Sequence, residues 1–311
     1  MPCFHPLEGY WSKDRNPSGK RSLTFNAREA FTDKKIDVPC GRCVGCRLER
    51  SRQWAIRCVH EASLYDNNCF ITLTYDSDHV PSDGSLRVED FQNFMKRLRK
   101  SVAPRRVRFF HCGEYGERGD RPHYHAILFN LDFDDREPWK KTETGRVDRS
   151  KKLEKLWPFG YSSVGDCTFE SAAYVARYVM KKRFGADAED HYRGTDLYTG
   201  EPVQKKPEYI TMSRRPGIGK GWYDKWKGDA FPSDFILVRG KKSRPPKFYA
   251  TQLEAENPDE YSRVKAKRKV LADLKSDDNT HERLLVKEWL QYDKMAKITR
   301  SYENGVDNED V

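Results

Sequence analysis

The sequence of 311 residues has no apolar run that approaches the roughly 20 residues needed to span a bilayer. The polar start, Met1 to Arg15, lacks the hydrophobic segment of a signal peptide. No internal repeat is visible along the chain. We therefore expect one principal domain with extensions, which acts in the cytoplasm and has no membrane partner.

Apolar side chains are also scarce, since hydrophobic residues make up 37% of the chain and charged residues 34%. Part of the chain is therefore expected to be solvated helix or tail. The formal net charge of +10 attracts polyanions, although a basic balance also fits many proteins that never meet nucleic acid. Composition thus favours a DNA-binding protein without establishing one.

The chain divides into three regions that differ in composition and in their strand and helix patterns. Residues 1–47 are rich in proline, glycine, cysteine and basic side chains, and they predict an irregular Cys-containing extension. Residues 48–253 alternate between strand and helix patterns and are assigned to a catalytic domain, with a motif core at 69–183. Residues 254–311 are charged and predict a helical tail.

Strand patterns in the central region fall at 69–75, 107–115, 123–131, 161–164 and 207–212. Helix patterns fall at 48–65, 88–102 and 151–156, and a further helix begins after an N-cap at Thr168 paired with Ser171. This order favours an α+β fold, with an antiparallel sheet and helices packed on one of its faces.

Two histidines separated by one residue, His123 and His125, lie in one of these predicted strands. Strand side chains alternate between faces, so both imidazoles project the same way, with α-carbons roughly 7 Å apart, while Tyr124 points the other way. Glu114, brought alongside by a hairpin, is the best third ligand, and His111 competes with it. Such a site suits Mg²⁺ or Mn²⁺ acting as a Lewis acid on a phosphate oxygen. The alternative is a polar strand face that binds no metal.

Tyr174 and Tyr178 are four residues apart in a helical pattern. Their β-carbons should lie roughly 5 to 6 Å apart on one stripe, so both hydroxyls can reach one site. A phenol is a poor nucleophile, so a metal-polarised phosphate and the cations Arg177, Lys181 and Lys182 must lower the barrier. Attack on DNA would leave a 5′-phosphotyrosine and a free 3′-hydroxyl. The alternative is a pair of aromatic residues that only packs into the core.

The chain resembles members of the HUH endonuclease superfamily, and within it the replication initiators of single-stranded DNA microviruses of the gokushovirus type. The segments that carry the resemblance are Phe70-Ile71-Thr72-Leu73-Thr74-Tyr75, Gly113-Glu114-Tyr115-Gly116 with Arg121-Pro122-His123-Tyr124-His125, and Tyr174 through Lys182. The segments 39–47 and 212–219 are also similar to the phage group. The resemblance implies a five-stranded antiparallel core, a metal held by the His-x-His strand, and two nucleophilic tyrosines on a following helix.

The implied activity is site-specific, metal-dependent nicking and rejoining of DNA, which starts and ends rolling-circle replication of a small circular phage genome. One tyrosine would nick the origin and the other would cut the regenerated origin. The implied partners are single-stranded DNA, double-stranded origin DNA, and a host helicase with the replication machinery, in the cytoplasm of the host bacterium. Two alternatives stay open: a transposase or plasmid relaxase of the same superfamily, and a non-catalytic module that binds single-stranded nucleic acid.

Three cysteines are closely spaced at Cys40, Cys43 and Cys46, and a fourth lies at Cys3. In a reducing compartment this spacing argues for metal binding over disulfides. The four thiolates predict a tetrahedral Zn²⁺ site that pins the amino-terminal extension. An iron–sulfur cluster and plain reduced thiols are the alternatives.

Two segments carry basic side chains that suit pairing with phosphates: the first flanks the predicted hairpin, and the second, at 213–223, interleaves them with glycine and with aromatic residues that could stack on bases. Their members are Arg105, Arg106 and Arg108 in the first, and Arg214, Arg215, Lys220, Trp222 and Tyr223 in the second. Because solvated charge is the usual explanation for such runs, DNA contact is predicted for the 213–223 segment only.

Overall fold

The structure is a computed structural model that describes residues 3–17, 19–116, 120–142, 145–177 and 186–296. Its strands are β1 Leu7–Arg15, β2 Arg21–Thr24, β3 Ala30–Val38, β4 Asn68–Tyr75, β5 Arg108–Tyr115, β6 Pro122–Phe129, β7 Arg136–Thr142, β8 Gly145–Ser150, β9 Gly160–Asp166, β10 Arg193–Thr195, β11 Pro202–Gln204, β12 Tyr209–Met212, β13 Ile236–Val238 and β14 Lys241–Ser243.

The helices are α1 Val44–Ala62, α2 Val88–Ser101, α3 Lys151–Leu156, α4 Phe169–Arg177, α5 Ala186–His191, α6 Lys220–Ala230, α7 Lys247–Glu256, α8 Pro258–Asp273 and α9 His281–Ala296. Short 3₁₀ turns lie at Ala27–Glu29 and Asp277–Asn279. Among the helices that the structure describes, none combines the length and the apolar character that crossing a membrane requires.

The chain divides into two compact units, of which the first combines Met1–Glu49 with Ala266–Thr299. Its strands form a small antiparallel sheet in the order β2-β1-β3. A small apolar cluster of Phe4, Val44 and Leu284 brings α9 against the start of α1. The amino-terminal segment thus forms regular strands where the sequence predicts an irregular extension. The sequence pattern does not reveal these strands, because the sheet is largely exposed and charged residues interrupt its apolar positions.

The second unit contains a seven-stranded antiparallel sheet in the order β12-β5-β6-β4-β9-β8-β7. The α+β class with an antiparallel sheet is confirmed. The five strands predicted from the sequence are β4, β5, β6, β9 and β12, which lie next to one another in the sheet. The hairpin of β7 and β8 adds two strands, which brings the sheet to seven. The sequence of this charged segment predicts only a connection between the neighbouring elements.

Helices cover both faces of this sheet, whereas the sequence predicts helices on one face. The apolar stripe of α2, Phe91, Phe94, Met95 and Leu98, packs on the face formed by Ile71, Leu73 and Tyr124. On the opposite face, α1 and α4 pack on Phe70, Phe110 and Ile127. The reason is that every residue of β6 is buried, so both of its faces need an apolar cover.

The α4 helix begins with the predicted cap. Thr168 Oγ1 accepts a hydrogen bond from the Ser171 amide at 3.2 Å, and Ser171 Oγ accepts one from the Thr168 amide at 2.8 Å. These reciprocal bonds satisfy two donors at the end of the helix and fix where it starts. The cap therefore determines which residues of α4 face the sheet.

The β4–β9 pairing requires a glycine at the start of β9. Gly160 has φ +141°, and a β-carbon there would lie 2.3 Å from the amide nitrogen of Asp76. We predict that Gly160→Ala lowers the free energy of unfolding by at least about 3 kcal/mol, measured by urea denaturation. The matched control is Gly228→Ala in α6, where nothing lies within 4 Å of the added carbon. A loss no larger than that of the control would contradict the prediction.

Candidate metal centre and its neighbouring tyrosine

The β5–β6 hairpin places three potential ligands on one face of the sheet. Glu114 pairs directly with His123, and Cys112 pairs directly with His125. Directly paired residues share a face, and so do residues two apart on one strand, so Glu114, His123 and His125 all project to the same side. The predicted hairpin geometry therefore brings the three side chains together.

Their ligand atoms converge closely. Glu114 Oε1 lies 3.0 Å from His123 Nε2 and 2.7 Å from His125 Nε2. Neighbouring ligands on an octahedral cation with bonds of about 2.0 to 2.1 Å are separated by roughly 3 Å. The carboxylate oxygen thus lies at the spacing of an adjacent ligand from each imidazole nitrogen, and all three ligand atoms lie within 4.8 Å of one another.

Hydrogen bonds on the far side of each ring orient the two imidazoles. His123 Nδ1 donates to the carbonyl oxygen of Arg121 at 3.1 Å, because a carbonyl only accepts. His125 Nδ1 lies 2.9 Å from Thr72 Oγ1. With Nδ1 protonated, each Nε2 lone pair faces the carboxylate, and these groups repel each other unless a cation lies between them. Protons on both rings or one shared metal ion satisfy this arrangement.

The charge state of Glu114 also suits a ligand. Burial would raise the pKa of its carboxyl group, but positive charge on His123 and hydrogen bonds from both imidazoles outweigh burial and lower the pKa to about 2. The ionised carboxylate is the form that binds a cation. His123 is 8% exposed, whereas Glu114 and His125 are each 1% exposed, so the cluster opens to solvent on the His123 side.

The competing candidate, His111, lies on the opposite face of the sheet. Its ring stacks on Phe91 of α2, with ring centres 3.4 Å apart, and its Nδ1 lies 2.9 Å from Thr211 Oγ1. Burial lowers the pKa of His111 well below its usual range, so the ring is neutral. His111 is therefore excluded from the cluster by strand alternation.

Tyr174 of α4 lies directly against this cluster. Its ring meets that of His125 edge to face, with centres 5.0 Å apart, and meets Phe70 in the same manner at 6.2 Å. The guanidinium of Arg177 lies 5.5 Å above the Tyr174 ring. Tyr174 is only 5% exposed, so its burial also fits a residue that packs the core. Its position beside a metal-ligand candidate is what the nucleophile hypothesis requires.

Three predicted catalytic residues, Tyr178, Lys181 and Lys182, lie outside the described residues. Their assignment to the site stays a prediction.

Two contributors to the site were not predicted from the sequence, namely Thr72 and Phe70. Phe70 stacks on His125 with ring centres 5.5 Å apart, and Thr72 contacts the same imidazole. Both residues belong to β4, which pairs with β6 in a register that sets Thr72 opposite His125. The alternation within 70–75 indicates that they share a face, but the neighbouring strand becomes known only from the fold.

The cysteine cluster forms a second potential metal centre, in the first unit. The sulfur atoms of Cys3, Cys40, Cys43 and Cys46 all lie within 4.8 Å of one another. The Cys40 amide donates to Cys3 Sγ at 3.2 Å, and the Cys43 amide donates to Cys40 Sγ at 3.3 Å. Amide donors of this kind stabilise thiolates, which are the metal-binding form.

The thiols differ in how readily they ionise. Burial opposes ionisation of Cys43, but amide hydrogen bonds from Phe4 and Cys46 lower its pKa to about 7. Burial raises the pKa of Cys3 and of Cys46. Cys43 therefore ionises more readily than Cys3 and Cys46, and a bound cation would favour the thiolate form of those two.

These features define a class of protein with a buried cluster of two histidines and a carboxylate on an antiparallel sheet, next to a helical tyrosine. The family model of replication-associated protein ORF2/G2P matches residues 68–183, which contain the cluster and Tyr174. No solved structure matches the chain.

Curated relatives extend the similarity to most of the chain. Replication-associated protein VP4 of Bdellovibrio phage phiMH2K is 34% identical over 290 residues, which cover 89% of this chain and 86% of the relative. Replication-associated protein ORF2 of Spiroplasma virus 4 is 33% identical, covering 88% and 87%. Replication-associated protein ORF4 of Chlamydia phage 1 is 37% identical over 153 residues, covering 47% and 38%. The chain belongs to the family of phage replication-associated proteins, and its resemblance to microvirus initiators is confirmed.

The cluster geometry predicts how the protein responds to Mn²⁺. His123→Ala and Glu114→Ala should each weaken Mn²⁺ binding at least about tenfold, because each removes one of three converging ligands, as measured by titration with electron paramagnetic resonance. The control is His79→Ala, which removes an exposed imidazole paired with Asp76. Undiminished binding by the Glu114 variant would remove this residue from the ligand set.

Proposed function

We propose that the protein is a site-specific DNA nickase and strand transferase that initiates and terminates rolling-circle replication of a small circular single-stranded DNA phage genome. Its relatives are named as replication-associated phage proteins, which supports a role in phage replication in the host cell. The observation that carries the chemistry is the contact of the Tyr174 ring with His125, one of three converging ligand candidates. We place this activity in the cytoplasm of the host bacterium.

Each group of the site has a chemical task in this proposal. Glu114, His123 and His125 would hold Mg²⁺ or Mn²⁺, which when bound supplies Lewis acidity toward a phosphate oxygen. Thr72 and the Arg121 carbonyl keep the imidazoles turned toward Glu114. These residues therefore fix where the scissile phosphate sits.

The tyrosine then carries the bond exchange. The phenolic oxygen attacks phosphorus, the bond to the 3′-oxygen breaks, and the strand is left with a 5′-phosphotyrosine and a 3′-hydroxyl. The phenol loses its proton and the leaving 3′-oxygen gains one. The cationic residues Arg177, Lys181 and Lys182 would assist the exchange by stabilising the negative charge that develops on the phosphate. The phosphotyrosine retains the energy of the phosphodiester. When the second tyrosine cuts the regenerated origin, the new 3′-hydroxyl would attack the first phosphotyrosine, reform the phosphodiester and release the first tyrosine.

An exposed arginine group supports contact with DNA. Arg105, Arg106, Arg214 and Arg215 are exposed, and Arg106 donates to the Arg215 carbonyl at 3.4 Å, which links the two loops. Such side chains pair with phosphates of single-stranded and double-stranded origin DNA. We assign DNA contact to these four residues.

Four other members of the predicted basic segments have structural tasks instead. Arg108 forms a buried ion pair with Glu61 at 2.6 Å, and Lys220 pairs with Asp224. Trp222 is half-buried and stacks on His60, whereas Tyr223 is fully buried and its ring is not open for stacking on a base. The prediction of base stacking is therefore wrong for Tyr223 and stays a prediction for Trp222.

Competing functions predict different outcomes. A transposase or plasmid relaxase of the same superfamily would share the chemistry, but the relatives are phage replication-associated proteins and favour the initiator. A non-catalytic binding module would form no covalent product. Recruitment of a host helicase and replication machinery follows from the initiator proposal alone.

The decisive prediction concerns a covalent adduct. With Mn²⁺ and single-stranded oligonucleotides tiled across the genome that carries the gene, labelled at the 3′ end, the label should migrate with the protein on a denaturing gel. The 3′ label is needed because the protein would join the 5′ end of the downstream fragment. Tyr174→Phe and Tyr178→Phe should each retain part of the adduct, while the double variant and His123→Ala should abolish it.

Tyr198→Phe is the matched control, because Tyr198 is 75% exposed in a loop of the second unit and carries the same hydroxyl. It should leave the adduct unchanged. If the double phenylalanine variant still forms an adduct, the nucleophile is another residue, and no adduct with any oligonucleotide would favour the binding module.

We also propose that the cysteine cluster binds structural Zn²⁺. Four sulfurs around a zinc ion with bonds of about 2.3 Å lie roughly 3.8 Å apart, which is compatible with their mutual separation of at most 4.8 Å. An iron–sulfur cluster places several atoms between its cysteine sulfurs and spreads them further apart. Since Cys43 also packs with Phe4, Val44 and Leu284, metal binding would tie the amino terminus to α9.

Elemental analysis of purified protein should find one zinc and no iron per chain. Cys43→Ser should lose the zinc and make α9 sensitive to limited proteolysis, because the thiolate that links these segments is gone. Cys167→Ser, a change at a half-buried thiol outside the cluster, should keep it. Iron with visible absorbance would identify an iron–sulfur cluster, and full zinc content in the Cys43 variant would contradict the site.

A further inference from the structure

An exposed aromatic ring lies in the same row of the sheet as the metal-ligand candidates. Glu114 pairs with His123, His123 pairs with Thr74, and Thr74 pairs with Tyr161 of β9. Because directly paired residues share a face, all four side chains point to the face that carries the cluster. Tyr161 lies two strands from His123, a distance of about 10 Å at strand spacings of about 4.8 Å.

Solvent exposure rises along this row. Glu114 is 1% exposed, His123 is 8% exposed and Tyr161 is 52% exposed. On the β6 side, Tyr174 of α4 covers the face by packing on His125 and Phe70. Among the described residues, the row is therefore most accessible at its β9 end, and a strand of DNA that approaches the cluster from this side would meet Tyr161.

The backbone holds Tyr161 firmly in place. The preceding residue, Gly160, fits so closely that an added β-carbon would overlap the Asp76 amide. Trp157, which is buried, donates from its indole nitrogen to the Thr74 carbonyl at 3.1 Å. Within the described part of the chain, the Tyr161 side chain makes no hydrogen bond or ring contact. A rigid aromatic residue with an uncovered ring can stack on a base at a small entropic cost.

We propose that Tyr161 is a stacking platform for one base of single-stranded DNA, within a few nucleotides of the phosphate that is cut. This inference rests on the proposed nicking function, whose site it extends by naming how the strand is held beside the cluster. A stacked strand advances about 3.4 Å per nucleotide, so about 10 Å corresponds to three nucleotides or fewer if the strand is extended. Stacking tolerates any base, so Tyr161 would position the strand without reading its sequence.

Binding and stacking can be measured without cleavage. The probe is a single-stranded oligo-dT of 20 nucleotides that carries one 2-aminopurine, moved along the strand in a series, with EDTA present. Tyr161→Ala should weaken binding about tenfold and remove the stacking quench of 2-aminopurine fluorescence. Tyr161→Phe and Tyr161→Trp should keep both, because the ring and not the hydroxyl makes the contact.

Tyr198→Ala is the matched control, since Tyr198 is more exposed than Tyr161 and lies between β10 and β11, which are not strands of the seven-stranded sheet. Unchanged affinity and quench in Tyr161→Ala would overturn the proposal. Loss of the covalent adduct in Tyr161→Phe would also overturn it, since the hydroxyl would then be the nucleophile. If the wild-type protein forms no adduct but shows a quench that depends on Tyr161, the nicking function fails while the stacking platform stands.

Discussion

The register of the β5–β6 hairpin is the constraint on which the candidate site depends. One residue of slip would move Glu114 to the face that α2 covers and would bring His111 toward the histidines instead. The register is fixed by burial, because every residue of β6 is buried and its apolar residues from Tyr124 onward alternate between two apolar cores. The packing that forms the core therefore also brings the candidate ligands together.

Polar contacts within the sheet explain why a charged cluster is tolerated in the interior. Glu114 is 1% exposed, and an isolated buried carboxylate would be costly. Its oxygen is instead shared between two imidazoles whose outer nitrogens contact Thr72 and the Arg121 carbonyl. The surrounding strands thus supply polar partners for both imidazoles, and a bound cation would balance the charge of the cluster.

Local patterns predict the central strands and the convergence of Glu114, His123 and His125, because strand alternation and hairpin pairing act between residues close in sequence. Thr72 and Phe70 were missed because the β4–β6 pairing joins segments about fifty residues apart. The helices on both faces were also missed, since a strand buried on both sides carries no alternation that would reveal it. The sequence predicts DNA contact for Trp222 and Tyr223, yet Trp222 packs against His60 and Tyr223 packs against Tyr249. These partners are distant in sequence, so only the tertiary fold reveals the contacts.

The face that carries the cluster is divided between a covered and an open half. Over β6, α4 brings Tyr174 against His125, which is 1% exposed. Toward β9, the face carries Thr74 and the exposed Tyr161, with no ring packed on Tyr161 in the described part of the chain. A nucleophile needs a fixed position beside the cation, whereas a DNA strand needs an accessible path to it. In the proposed nickase, the packing of Tyr174 on His125 would meet the first requirement and the exposed end of the row at Tyr161 would meet the second, with His123 between them.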